Sequence, residues 1–133
     1  FSRLATGMKM ILAVALGGAV GAVARYKVTA MFLHLFGSGF PYGTLFVNVV
    51  GSFAMGVLIE LLALKIELSQ EVRAMIVTGV LGAFTTFSTF SLDVAYLWER
   101  GNLAGTALYV AGSVVLAIGA LFGAMALVRW MVS

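Results

Sequence analysis

Four apolar stretches, each long enough to cross a bilayer as a helix, leave this chain almost no way to fold in water. They run from about Met10 to Leu35, Gly43 to Leu64, Val72 to Trp98 and Leu103 to Met131. The breaks between them are short: Phe36 to Tyr42 with Gly37, Ser38, Gly39 and Pro41, then Lys65 to Glu71, then Glu99 to Asn102. Breaks this short make neighbouring helices antiparallel. Of 133 residues, 62% are hydrophobic and 10% are charged. A soluble domain with so little charge has nothing to cover its apolar surface, so the lipid bilayer is the expected solvent. No strand alternation persists long enough for a membrane barrel, and a single-chain barrel needs more strands than this length supplies. The expectation is an all-α membrane protein with one transmembrane domain over residues 1–133 and four spans. The first run reads as a span and not as a cleaved signal, because it is long and carries Arg25 and Lys27 near its end.

The net charge of +3 is spread along the chain without a basic cluster, so nucleic acid is not an expected partner. There is no cysteine and one histidine, His34, which lies near a loop. Without a metal constellation, a nucleophile triad or a phosphate-binding glycine loop, an enzyme is not expected. Four spans put both termini on one side, with Arg3, Lys9, Lys65, Arg73 and Arg129. Arg100 falls on the other side, joined by Arg25 and Lys27 if those sit near the end of the first helix. Basic residues near membrane ends favour the cytoplasm, and the bias here is weak. A protein that inserts in both orientations shows such a bias, and so does an atypical single-orientation one. Tyr42, Tyr96, Trp98 and Trp130 fit interfacial aromatic belts.

Sixteen glycines fall largely at close-packing intervals within the spans. In lipid, apolar burial no longer drives helices together, and small residues let backbones approach. Ordinary helix packing accounts for most of them, and the same residues suit a tightly packed oligomer.

The third stretch is the most informative. It reads Gly79-Val80-Leu81-Gly82-Ala83-Phe84-Thr85-Thr86-Phe87-Ser88-Thr89-Phe90-Ser91. Clustered hydroxyls compete for backbone hydrogen bonds and can break a helix. A break at membrane depth survives only inside protein or beside a water-filled cavity, and its freed carbonyls can coordinate a hard cation such as sodium. The alternative is that each hydroxyl bonds the carbonyl one turn back and the helix stays whole. Phe87 and Phe90 share a face, either for packing or to present positive ring edges to an anion. Asn48 in the second stretch either bonds a neighbouring helix or faces a pore. Tyr109 and Ser113, four apart in the fourth, extend a polar track on one face. Arg25 either snorkels to headgroups or sets a positive potential at an anion entrance, and Lys27 snorkels. Glu60 and Asp93 lie toward helix ends, solvated or paired.

Three blocks together closely resemble the Fluc (CrcB) family of fluoride channels. They are Gly17 through Tyr26 (GGAVGAVARY), Gly43 through Phe53 (GTLFVNVVGSF) and Gly79 through Ser91, with Thr85-Thr86-Phe87-Ser88-Thr89-Phe90-Ser91 the most specific. Their order and spacing match across nearly the whole chain. The resemblance implies an antiparallel homodimer of inverted copies with dual topology and two fluoride pores. It implies a third helix broken mid-membrane and a central sodium ion on the main-chain carbonyls of Gly82, Thr85 and their symmetry mates. It places Asn48, Phe87, Phe90, Tyr109 and Ser113 along the pore and Arg25 at the vestibule. It implies passive fluoride export across the cell's inner (plasma) membrane as protection against toxicity. Some relatives carry a further hydroxyl one turn after the Ser113 position, where this chain has Ala117, and relatives often have Glu where Asp93 stands.

Two other classes share parts of the pattern. A small multidrug transporter has four short helices and dual topology but needs a carboxylate in its first span, which has none here. A purely structural subunit of a larger complex has no use for the polar run in the third span.

Overall fold

A computed structural model describes residues 2–133, and every secondary-structure element in that range is helical. Helix α1 spans Ser2–Phe36 and α2 spans Tyr42–Leu64. The third stretch is built in pieces: α3 at Gln70–Ala74, a π-helical segment at Met75–Leu81, α4 at Gly82–Phe84 and α5 at Phe87–Glu99. Helix α6 spans Leu103–Val132. Four spans long and apolar enough to cross a membrane result, of 34, 23, 30 and 30 residues. At 1.5 Å per residue, a helix of 35 residues such as α1 is about 52 Å long, well beyond a bilayer core of about 30 Å. The sequence places the first span from Met10. The helix itself begins eight residues earlier, because Ser2 to Lys9 are helix-compatible even where they are too polar for lipid.

Turn chemistry sets the boundaries. Gly37 and Gly101 adopt positive φ of 75° and 76°, the left-handed step that ends a helix without a Cβ clash. The Gly37 N–H closes the last turn of α1 on the Leu33 carbonyl at 2.9 Å. Helix starts take polar caps: Ser69 Oγ accepts the Val72 N–H at 3.3 Å, and Asn102 Oδ1 accepts the Gly105 N–H at 2.8 Å. Within the third span, the Gly82 N–H reaches the Val77 carbonyl five residues back, which marks the wide π turn. The hydroxyl pattern gives no hint of that turn.

Packing divides the chain into two pairs. Helix α1 lies along the first part of the third span, from α3 through α4, while α2 lies along α6. Helix α5 leaves α1 and packs against α6 and α2. The first pair meets closely at Gly17 and Gly79, where each glycine occupies the space a Cβ would need on the other. A methyl on Gly17 would collide with the Met75 carbonyl oxygen, and one on Gly21 with that of Val80. The second pair is pinned by a bidentate contact: Arg129 Nε donates to Glu60 Oε1 at 2.8 Å and Nη2 to Oε2 at 3.4 Å. Glu60 is buried there, so the carboxylate is paired, as a charge near membrane depth must be. The buried core is small, with Val47, Leu97, Tyr109 and Ala124 fully enclosed, and large apolar side chains cover the outside.

Gly17→Val is expected to push α1 off the third span. Overpacking of this kind destabilises by about 1–3 kcal/mol. The check is the unfolding midpoint in detergent, which should fall for Gly17→Val and stay near wild type for Gly18→Val, whose added Cβ meets open space.

Candidate functional site

Helical geometry stops at Phe84 and resumes at Phe87. Between them Thr85 (φ −88°, ψ 157°) and Thr86 (φ −152°, ψ 124°) are extended. Asn48 on α2 grips the second of them, Thr86. Its Oδ1 accepts the Thr86 N–H at 2.7 Å, and its Nδ2 donates to the Thr86 carbonyl at 3.0 Å. One side-chain amide thus satisfies both backbone groups of a residue that has left the helix. An asparagine amide carries two N–H donors, so one remains without a protein partner among the described residues.

The diversion frees particular carbonyls. In an unbroken helix the Thr86 N–H goes to the Gly82 carbonyl, and here it goes to Asn48. The Thr89 N–H, which would serve the Thr85 carbonyl, is accepted by Thr86 Oγ1 at 3.2 Å as an N-cap of α5. The Ala83 carbonyl accepts from Arg25 Nε at 2.9 Å. Arg25 therefore turns inward and caps the end of α4, where a cation also suits the helix dipole. Lys27 is exposed. Of the five hydroxyls from Thr85 to Ser91, two bond the carbonyl one turn back: Thr85 Oγ1 to Leu81 at 3.0 Å and Ser91 Oγ to Phe87 at 3.1 Å. Thr86, Ser88 and Thr89 bond one another instead.

A cavity of about 390 Å³ opens beside the extended residues. Its wall brings together Asn48, Thr85, Phe87, Phe90, Ser113 and Ala117. The Ser113 hydroxyl is buried and has no hydrogen-bond partner among the described residues, an expensive state for a polar group. Phe87 is 78% exposed, and its ring centroid lies 5.5 Å from that of Phe90. Phe90 in turn lies 5.1 Å from Tyr109. Tyr109 is fully buried and donates its O–H to Asp93 Oδ2 at 2.9 Å, so Asp93 is paired. Ser113 and Tyr109 share one face of α6, and only Ser113 lines this cavity. His34 is exposed at the end of α1, away from it. Among the described residues no three His, Asp or Glu side chains cluster as a metal site.

A family model described as "CrcB-like protein, Camphor Resistance (CrcB)" matches residues 12–125. The chain belongs to the CrcB family. Among CrcB relatives, the "Fluoride-specific ion channel FluC" of Rhodospirillum centenum is 55% identical over 122 residues, covering 92% of this chain and 97% of its own. The protein of the same description from Agrobacterium fabrum is 52% identical over 119 residues, covering 90% and 95%. That from Rhizobium etli is 49% identical over 125 residues, covering 94% and 100%.

Three features of this CrcB site escape the sequence. The inward cap by Arg25 depends on where α4 ends. The two hydrogen bonds from Asn48 to Thr86 depend on which helix lies opposite. The stacking of Tyr109 between Phe90 and Phe40 depends on the first loop folding back over α6, at 5.5 Å and 82° for Phe40. Asn48→Ala is expected to strand the Thr86 N–H and carbonyl. Leaving a buried group unsatisfied costs about 1–3 kcal/mol. A lower thermal midpoint in detergent, with Asn48→Gln also destabilised because its longer arm misplaces both bonds, is the expected result.

Proposed function

We propose that this chain is a fluoride-specific ion channel that lets fluoride leave the cell passively across its inner (plasma) membrane. About half-identity over more than nine-tenths of the length of fluoride-specific channels supports this. The observation on the chain itself that carries it is the unpartnered Ser113 hydroxyl, buried in the wall that also holds the spare Asn48 amide hydrogen. Both are neutral donors. Fluoride is small and strongly hydrated, so stripping its water is costly unless donors replace it. Asn48, Ser113 and the positive edges of Phe87 and Phe90 supply weak donors without a fixed charge that would trap the ion. Tyr109 continues the track toward the α1–α2 loop, and Ala117 ends its hydroxyls in the other direction.

The functional unit in this proposal is an antiparallel homodimer of inverted copies, with two pores. Phe87 supports it: this ring, 78% exposed, stands beside the cavity that holds Asn48 and Ser113, where a second copy would cover it. Thr85 and Thr86 are then a break in the third helix at membrane depth, sheltered by protein on both sides. A structural sodium ion fits the freed oxygens: main-chain carbonyls of Gly82 and Thr85, with those of the second copy, make the all-oxygen set that a hard cation takes. Bound there, it supplies fixed positive charge between the pores. The whole chain acts as one transmembrane domain.

Proton-coupled drug transport is disfavoured because α1 contains no carboxylate at all. In liposomes loaded with potassium fluoride, wild-type protein is expected to release fluoride to an electrode and to retain chloride. Phe87→Ile and Asn48→Asp are each expected to abolish or sharply reduce the fluoride signal, and normal flux from both contradicts the pore assignment.

A further inference from the structure

A second cavity, of about 270 Å³, lies at the end of the molecule where the α1–α2 and α5–α6 loops meet. Its wall includes Thr44, Phe40, Tyr96, Asp93 and Arg100. Tyr109 stands between the two cavities, its ring against Phe40 of this one and against Phe90 of the other. The cavity therefore forms the mouth on the far side of the Tyr109 partition. That mouth has an electrostatic problem. Asp93 lies in its wall, half-buried, and accepts from Tyr109, so a carboxylate sits where an anion must pass. Arg100 is two turns further along the same face of α5 and is the other charged side chain in that wall. Its Nη1 donates to the Ser38 carbonyl at 3.1 Å, which holds the guanidinium over the opening without neutralising it. Among the described residues no carboxylate forms an ion pair with it, and the preceding Glu99 is exposed.

We propose that Arg100 is the anion collector of this mouth: tethered by Ser38, its charge offsets Asp93 and draws fluoride into the cavity that leads past Tyr109. This rests on the fluoride-channel reading of the preceding section. The positive charge raises the local anion concentration at a site walled by low-dielectric protein, the condition under which one charge alters ion arrival rates. It also acts through solvent, so salt must screen it.

The test compares fluoride efflux from liposomes for wild type, Arg100→Lys, Arg100→Gln and Arg100→Glu at low and high concentrations of an impermeant salt, with sodium constant. The screening length falls from about 30 Å at 0.01 M to about 3 Å at 1 M. At low salt Arg100→Gln is expected to lose about tenfold in flux, the lower end of such focusing effects, and Arg100→Glu more. Arg100→Lys keeps most of the flux, and at high salt all four converge. A deficit in Arg100→Gln that is the same at both salts makes Arg100 a loop brace and overturns the proposal. So does wild-type flux from Arg100→Gln or Arg100→Glu at low salt. If Arg100→Gln does not reconstitute, the salt dependence of Arg100→Lys against Arg100→Glu decides in the same way. Absence of fluoride flux from the wild type removes the channel reading itself, and this proposal with it.

Discussion

The two hydrogen bonds between the Asn48 amide and the backbone of Thr86 hold the rest of the site in place. A backbone that leaves helical geometry inside a bilayer has an unpaired donor and acceptor and no water to take them. Asn48 supplies both partners from a neighbouring helix, with its amide fixed in one orientation. The Gly82 carbonyl loses its helical donor as a consequence, and the spare amide hydrogen is left beside the cavity. Structure and proposed chemistry therefore share one residue. A substitution at Asn48 acts on the backbone of the third span as well as on the cavity wall.

The two extended residues, Thr85 and Thr86, also explain how so thin a bundle is organised. The first part of the third span follows α1 through a glycine contact so close that no side chain fits. After Thr86 the chain leaves α1 and α5 joins α6. Without the two extended residues one straight helix would have to serve both neighbours. Arg25 fastens the first part by capping Ala83, and Thr86 Oγ1 starts the second by capping the Thr89 N–H. Each end thus looks like an ordinary helix terminus, so the extended residues leave few backbone groups unsatisfied.

Much of this was legible in the residues. Four apolar runs with short breaks allow little besides four antiparallel helices, and Gly37 and Gly101 stop helices where turns were expected. The Thr85–Ser91 hydroxyls marked the part of the third span that departs from a plain helix, although local rules left an intact helix equally open. What settles the backbone there lies far away in sequence: an asparagine thirty-eight residues upstream and an arginine fifty-eight residues before Ala83. Arg25 read as a surface or vestibule charge because its carbonyl partner exists only once α4 has ended. The π turn before Gly82 had no signal, since Met75 to Leu81 is as apolar as any helix interior. Asp93 and Glu60 left their state open until Tyr109 and Arg129 met them, because sequence spacing says nothing of contacts between α5 and α6 or α2 and α6.

The conformation of Thr85 and Thr86 in lipid tests the central claim most directly. Solid-state NMR of threonine-labelled protein in bilayers reports it through the Cα and Cβ chemical shifts. Extended values at both residues, lost together in Asn48→Ala, are the expected result. Helical values at both in the wild-type protein would contradict the account.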